Sequence, residues 1–188
     1  MATELAPGFL VAAPMLLDPN FQRTVVLLVE HRPEASLGFV INRPTPARLP
    51  SMLDALGLQS PDARPPDSPV LVGGPVAPDT GWIVFEASDE HSFGEVVRVS
   101  PKLAVSASRE LLETTVQGRG PERMMLVLGY AGWGPSQLDA EIAQGAWIPV
   151  DLDEKIVFDT PFDDRWAAAL QSLGIDPGRL TSVPPSES

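Results

Sequence analysis

Hydrophobic residues along this chain fall into seven short runs, separated by glycine, proline and polar residues. Large and β-branched apolar side chains dominate each run, which is typical of strands in a sheet. The runs cover residues 9–14, 24–31, 37–42, 69–74, 81–86, 95–100 and 123–130. Residues 32–36 join the second and third runs, and this spacing predicts a β-hairpin. The last run is almost entirely apolar, which predicts a buried strand with helices over the sheet.

Apolar residues at helical spacing predict four helices. They cover residues 51–57, 101–118, 137–144 and 161–173. The residues predicted to cap their N-termini are Ser51, Ser100, Ser136 and Thr160. A proline stands at the first helical position of the second and fourth helices, where its missing N–H is tolerated. Gly174 is predicted to end the last helix.

Hairpins early in the chain and helices late in it predict the α+β class, with a mixed or largely antiparallel sheet. Nine of the 21 prolines lie between residues 44 and 78. Because proline interrupts helices and ladders, we expect a long surface excursion there. A domain linker is the alternative, but the first part would then have only about 45 residues, which is marginal for a core. We expect one domain over residues 1–188, with its core at 8–174 and a frayed tail at 181–188.

The chain has 188 residues, no cysteine and a net charge of −12. The absence of cysteine excludes disulfides, thiolate nucleophiles and cysteine-bound metals. The negative charge repels nucleic-acid phosphates and there is no basic cluster, so we do not expect direct DNA binding. We see neither a signal-like start nor an apolar run near the about 20 residues of a membrane span. We therefore expect a cytoplasmic protein that does not cross a membrane.

Few residues carry chemistry. The only histidines are His31 and His91, which are too few for a histidine-rich metal site. Neither a Gly-X-Ser-X-Gly elbow nor a phosphate-binding loop is present, so a familiar hydrolase or nucleotide triphosphatase is not expected. His31 ends a predicted strand, where it either hydrogen-bonds the backbone or acts as a ligand or acid–base group. His91 lies in an acidic run, where we expect it to be solvated. We expect no metal and no cofactor.

Glycines are concentrated between the last predicted strand and the third helix, at Gly129, Gly132 and Gly134. Glycine permits a tight turn with exposed amide N–H groups, and these groups together with a helix start suit an anion. Tyr130 and Trp133 would then form a wall with polar tips. The alternative is that the glycines only make the turn and Trp133 fills the core.

A second concentration of polar residues surrounds the first hairpin. Asp18 and Glu30 are the candidate ion-pair partners of Arg23. Arginine and asparagine at strand ends usually satisfy loop carbonyls and carboxylates, and a pocket for a carboxylate or phosphate is the sharper alternative. The residues predicted to line a ligand site are Arg23, His31, Asn42, Arg43, Gly73, Gly74, Tyr130, Gly132 and Trp133. For this site to form, the glycine turn must bend back beside the hairpin, so that its amide donors and Arg23 share a hollow.

Four motifs, in this order and spacing, resemble the YqgE/AlgH family of bacterial proteins. They are DPNFQRTVVLLVEH, GFVINRP, VGGPV and LGYAGWGPSQLDAEIAQGAWI, and the resemblance covers residues 9–174. It implies a compact α+β domain whose branched sheet forms a pseudo-barrel with helices packed outside. It implies no catalytic residue. The family takes its name from a genetic link to alginate synthesis, and its members are described as transcriptional regulators.

The chain departs from the family pattern at several positions. Glu34, Ala35 and Ser36 stand where members often have glutamate, glycine and alanine. Phe85 occupies a position where many members have histidine, and Ser136 one where glycine is frequent. A tail of glycine, histidine and alanine is absent. We therefore expect neither a histidine-based activity at position 85 nor a function of that tail.

Two classes of function follow from these observations. The first is a non-enzymatic cytoplasmic protein that acts in regulation indirectly, by binding a protein partner or a small anionic ligand. The alternative is an enzyme or carrier for a small anionic metabolite. The pattern does not predict an oligomeric state.

Overall fold

The structure is a computed structural model that describes residues 5–58, 67–87 and 95–176. The described strands are β1 (Gly8–Ala12), β2 (Val25–His31), β3 (Ser36–Val40), β4 (Pro44–Arg48), β5 (Pro69–Val72), β6 (Val76–Glu86), β7 (Val97–Ser100), β8 (Leu103–Ser106), β9 (Met124–Trp133) and β10 (Trp147–Val150). The described helices are α1 (Leu49–Ala55), α2 (Arg109–Val116), α3 (Gln137–Ala143), α4 (Glu154–Phe158) and α5 (Arg165–Gln171). His91 and the tail predicted at residues 181–188 lie outside the described residues.

The chain divides into two compact units. Unit 1 combines Met1–Asn42 with Ala131–Ser188, and unit 2 is Arg43–Tyr130. Strand β9 contributes its first residues to unit 2 and its last three, from Ala131, to unit 1. The expectation of one domain over residues 1–188 stays a prediction.

Unit 1 is built on an antiparallel sheet in the order β10-β1-β2-β3, with the end of β9 beside β3. The predicted hairpin of β2 and β3 is confirmed. One face of this sheet packs into a core with α3. The buried members of that core are Leu10, Ala12, Val26, Leu28, Val40, Ala131, Trp133, Leu138 and Trp147.

Helix α5 of unit 1 packs against β1 and β2. Two of its buried residues also donate hydrogen bonds to strand-end carbonyls. Trp166 Nε1 donates to the Ala12 carbonyl at 2.8 Å, and Arg165 donates from Nη1 to the Ile41 carbonyl at 2.5 Å. Burial lowers the pKa of the Arg165 guanidinium to about 10. Arg165 therefore remains charged at neutral pH, and its hydrogen bonds to backbone carbonyls are charge-assisted.

Unit 2 contains the branch in the sheet. The first part of β9 pairs antiparallel with β6 and parallel with β5. Strand β8 lies beside β6 and is followed by β7, while β4 pairs with β5. The fold-class prediction, α+β with a branched mixed sheet, is therefore confirmed. The buried core of unit 2 comprises Leu49, Leu53, Val70, Ile83, Phe85, Ala104, Leu111, Val116, Met124 and Leu126.

The predicted helix over residues 101–118 is wrong in its first half. Leu103–Ser106 forms β8, which pairs with β6 on one side and β7 on the other. These two ladders provide backbone partners that outweigh the weak helical preference of a short segment. The helix begins only after Ser108, whose side chain accepts a hydrogen bond from the Glu110 N–H.

All four predicted caps are wrong, and Ser100 is the last residue of β7. Helix α1 begins at Leu49, so Ser51 lies inside the helix and does not cap it. Ser136 occupies the N-cap position of α3, but it is left-handed and makes no side-chain cap. A 3₁₀ turn separates Thr160 from α5, so Thr160 does not cap that helix, and its hydroxyl donates to the Lys155 carbonyl.

The sequence patterns also failed to predict three short elements, β4, β10 and α4. The proline-rich segment predicted as an excursion contains β4, although its pairing with β5 is irregular, as expected for proline in a strand. Strand β10 and helix α4 were not predicted. Asp153 caps α4 by accepting from the Lys155 N–H at 3.0 Å.

Candidate functional site

Three polar side chains form a hydrogen-bonded chain at the turn end of the β2–β3 hairpin. His31 Nδ1 lies 2.6 Å from Ser36 Oγ, and His31 Nε2 lies 3.2 Å from Asp139 Oδ1. His31 and Ser36 are cross-strand partners, so their side chains share one face of the sheet. Ser36 is buried, whereas the His31 side chain is 22% exposed. The arrangement joins a hydroxyl, an imidazole and a carboxylate within unit 1.

Asp139 belongs to α3, and the glycine turn holds this helix beside the hairpin. The Ser136 N–H donates to the Pro33 carbonyl at 3.3 Å, although Ser136 has a φ of +58° that is uncommon outside glycine. Gly132 pairs with Leu37 of β3. The turn therefore lies beside the first hairpin, as predicted. Arg23 lies at the other end of β2, so the predicted hollow shared by the amide donors of the turn and Arg23 is wrong.

The predicted amide donors of this turn already have acceptors. The Gly134 N–H donates to Gln137 Oε1 at 3.0 Å, and the Ser136 N–H is used as described above. A hydrogen-bonded amide attracts an anion less than a free amide does, because the existing bond must first be broken. These contacts give little support to an anion cradle at the turn.

Trp133 fills the core of unit 1. Trp133 is 4% exposed. The centroid of its ring lies 6.3 Å from that of Phe21 and 5.8 Å from that of Trp147. The Trp147 indole N–H donates to Glu141 on α3. The interpretation of Trp133 as a core residue is confirmed, and an exposed ligand wall at this position is excluded.

Arg23 and Asn42 lie together at the other end of β2, away from the glycine turn. Asn42 Oδ1 accepts from the Val25 N–H and Asn42 Nδ2 donates to the Arg23 carbonyl, each at 2.9 Å. The Arg23 guanidinium lies 4.6 Å from the centroid of the Trp166 ring. The prediction that Arg23 pairs with Asp18 or Glu30 is wrong for the described residues: Asp18 accepts from the Asn20 N–H, and Glu30 pairs with Arg32 at 2.6 Å. Asn42 has the predicted structural role of satisfying backbone groups.

The other predicted site residues belong to unit 2. The Gly73 N–H donates to the Leu128 carbonyl at 2.7 Å, and the Arg43 carbonyl accepts from the Val72 N–H at 2.9 Å. A Cβ on Gly73 would lie 2.5 Å from the Gly129 carbonyl oxygen. The glycine pair of residues 73–74 therefore allows two backbones to approach closely. Tyr130 is half-buried on β9 opposite Val76.

Ser36 and Asp139 were not among the predicted site residues. The hairpin register contains the signal for Ser36, because a four-residue turn places it opposite His31. No comparable local signal points to Asp139, which reaches His31 only because α3 folds back onto the hairpin.

One loop of unit 1 presents apolar side chains to solvent. Met15 is 87% exposed and Leu17 is 69% exposed. Leu16 between them packs against the core with Phe21. The loop then turns at Asp18, whose Oδ1 accepts from the Asn20 N–H at 2.9 Å in an Asx turn.

Two further features concern residues 5–58, 67–87 and 95–176. No group of three or more histidine, aspartate or glutamate side chains there is arranged to hold a metal ion. None of the helices in these ranges is long and apolar enough to cross a membrane.

The branched mixed sheet, and the glycine turn that places a short helix beside a hairpin, define an α+β class of small domains. This description matches one family along nearly the whole chain. The chain belongs to the AlgH-like family, whose model matches residues 9–178.

Individual relatives agree with this assignment. A UPF0301 protein from Anaeromyxobacter dehalogenans strain 2CP-1 is 47% identical over 177 residues, which are 92% of this chain and 90% of that protein. The AlgH protein from Pseudomonas aeruginosa has a solution structure with a TM-score of 0.76 and 37% identity, covering 98% of this chain and 97% of that one. A crystal structure of protein DIP2367 from Corynebacterium diphtheriae shares the fold, with a TM-score of 0.75, 22% identity and coverage of 97% and 94%.

Proposed function

We propose that this is a non-enzymatic cytoplasmic protein that acts in regulation indirectly, by binding a partner protein through the loop that carries Met15 and Leu17. The exposure of these two side chains is the observation that carries the proposal. Exposed large apolar side chains grouped on an ordered segment mark interaction sites, and methionine adapts to pockets of different shape. A partner with an apolar pocket would remove both side chains from water.

The order of this loop favours binding. The Leu16 N–H donates to the Ala13 carbonyl, and the Phe21 N–H to the Asp18 carbonyl, each at 2.9 Å. Phe21 is held between Trp133 and Trp147. Because the backbone is already fixed, a complex loses little further conformational freedom, and more of the contact energy contributes to affinity.

The contacts favour a protein over a small anion as the ligand. The Gly134 and Ser136 amides have internal acceptors, and the Arg23 guanidinium stacks on Trp166. The net charge of −12 disfavours contact with DNA, which supports indirect action. A mobility-shift assay with duplex DNA near physiological salt should show no specific complex. A specific complex would contradict indirect action.

Photo-crosslinking in cells tests the binding surface. A photoreactive amino acid replaces Met15 in the full chain, and the matched control carries it at Leu173, another exposed apolar position of unit 1. We expect one crosslinked species of defined mass from position 15 and none from position 173. Adding Leu17→Asp should abolish it, and circular dichroism should show that this exposed substitution leaves the fold intact. Equal crosslinking at both positions, or crosslinking that survives Leu17→Asp, would refute the loop as the interface.

An enzyme is the second candidate, and the Ser36–His31–Asp139 arrangement is the observation that favours it. The distances of 2.6 Å and 3.2 Å match a nucleophile, a base and an orienting carboxylate. Ser36 Oγ would attack the acyl carbon of a small anionic ester while His31 takes the hydroxyl proton and passes it to the leaving oxygen. Water would then release the acyl group from Ser36.

A fluorophosphonate probe tests this candidate, because such probes add covalently to activated serines. Intact-mass measurement should show one adduct on the wild type. Ser36→Ala should remove the adduct, and Ser136→Ala, an exposed serine of the same unit, should retain it. If the wild-type protein forms no adduct, the enzyme candidate is refuted. The three side chains then have only a structural role, which is to connect α3 with the hairpin.

A further inference from the structure

Unit 2 contains a cleft of about 890 Å³ between β7 and the start of α2. Strand β7 is the last strand on its side of the described sheet. The apolar residues lining the cleft are Trp82, Val96, Val97, Val105 and Ala107. Small-molecule sites in proteins occupy about 300–1,000 Å³ and are mostly apolar with a few placed polar groups. The cleft is open to solvent and is wide enough to admit a small organic molecule.

One hydroxyl group holds the walls of the cleft in place. Ser106 Oγ donates to the Glu95 carbonyl at 2.6 Å and accepts from the Ser108 N–H at 3.0 Å. Ser108 Oγ in turn accepts from the Glu110 N–H at 3.2 Å at the start of α2. Residues from separate elements are thus fixed before any ligand arrives, which lowers the entropic cost of binding.

Glu95 and Glu110 are among the residues that line this cleft, and both are exposed. Across the described ranges neither has an ion-pair partner, and the nearby Arg109 pairs with Glu113 at 3.3 Å. Val97 is 55% exposed and adds apolar surface. The net charge of −12 gives a negative potential that concentrates cations near the protein. The two glutamates and the overall charge therefore favour a cation, against the partial positive charge at the start of α2.

We infer that this cleft binds a small organic cation with an apolar body, of the alkylammonium class. The apolar lining covers the hydrocarbon, and Glu95 and Glu110 pair with the ammonium group. A neutral ligand of the same shape loses the ion pairs, and an ammonium ion without a hydrocarbon body loses the apolar contact. The inference concerns a site in unit 2 and is independent of the partner loop in unit 1.

Amide-resolved NMR titration of the full chain with hexylammonium tests the inference. We expect saturable shift changes at Trp82, Val97, Val105 and Ser108. Hexanol supplies the same hydrocarbon without the charge, and methylammonium supplies the charge without the hydrocarbon. Both should bind the cleft more weakly than hexylammonium does.

Charge-removing variants separate a built site from general attraction to an acidic protein. Glu95→Gln and Glu110→Gln should each raise the dissociation constant of hexylammonium by about twofold to fivefold, which is the range for a solvent-accessible ion pair. Glu122→Gln, an exposed residue of unit 2 outside the cleft lining, should leave it unchanged. Shifts spread over acidic residues generally, equal binding of hexanol, or an equal effect of Glu122→Gln would each overturn the inference. Circular dichroism of each variant verifies that the fold is retained.

Discussion

Replacing Trp133 with alanine should strongly destabilise unit 1. The residue is 4% exposed and contacts the rings of Phe21 and Trp147. Truncating a buried aromatic residue to alanine costs about 3–5 kcal/mol, and aromatic pairs contribute about 0.5–1.5 kcal/mol each beyond area burial. Because Trp133 has two such partners, we expect Trp133→Ala to lower the free energy of unfolding by about 4–5 kcal/mol. Small domains have only about 5–15 kcal/mol in total.

Urea denaturation followed by far-ultraviolet circular dichroism measures this loss. Fluorescence is a poor probe here, because the variant lacks one of only four tryptophans. Thermal denaturation gives a second estimate, since about 2–4 °C of Tm corresponds to each kcal/mol in a chain of this size. The expected fall in Tm is therefore roughly 8–20 °C.

Met15→Ala is the matched control, because it truncates a large apolar residue of the same unit that is 87% exposed. Its effect should stay within about 0.5 kcal/mol. Combining Trp133→Ala with Phe21→Ala should give a coupling energy of about 0.5–1.5 kcal/mol. A cost for Trp133→Ala as small as that of Met15→Ala would refute the assignment of this ring to the core.

Two further substitutions test backbone contacts by urea denaturation. Asn42→Ala should lower the free energy of unfolding by about 1–3 kcal/mol, because it leaves the buried Val25 N–H without its acceptor. Asn42→Asp keeps that acceptor and should lower the free energy of unfolding by less. An equal loss for both variants would contradict the role of Asn42 as the acceptor for Val25. Gly129→Ala should lower the free energy of unfolding by more than Gly57→Ala does. Both glycines have a positive φ, but only at Gly129 would a Cβ meet a carbonyl oxygen, that of Gly74, at 2.5 Å. Equal losses would show that the close approach to Gly74 does not require glycine at position 129.

Much of the fold follows from local pattern. The β2–β3 hairpin and β9 were predictable because their apolar, β-branched runs are long enough to outweigh other preferences. Leu103–Ser106 was not, because its strand conformation depends on ladders to β6 and β7. The same holds for β4, where proline suggests a loop until pairing with β5 supplies partners. Long-range pairing therefore decided the elements that sequence pattern missed.

The candidate site was predictable only in part, for a related reason. His31 was identifiable as one of two histidines, and the glycine turn from its composition. Asp139 contacts His31 across a large separation in sequence, and helical periodicity does not report which loop a helix will meet. Arg23 resembles a ligand-binding residue, yet its left-handed backbone and the Trp166 ring beneath it give it a structural environment.

The pairing of β1 with β10 has a consequence for synthesis of the protein. Every residue of β1 is buried, and its partner strand, Trp147–Val150, is synthesised only after residues 13–146. At about 5–20 residues per second, one edge of this apolar strand stays open for on the order of ten seconds. During that interval the nascent chain offers a hydrophobic edge to chaperones or to other nascent chains. Slower translation of the stretch before Trp147 should therefore increase aggregation, although the finished protein is unchanged.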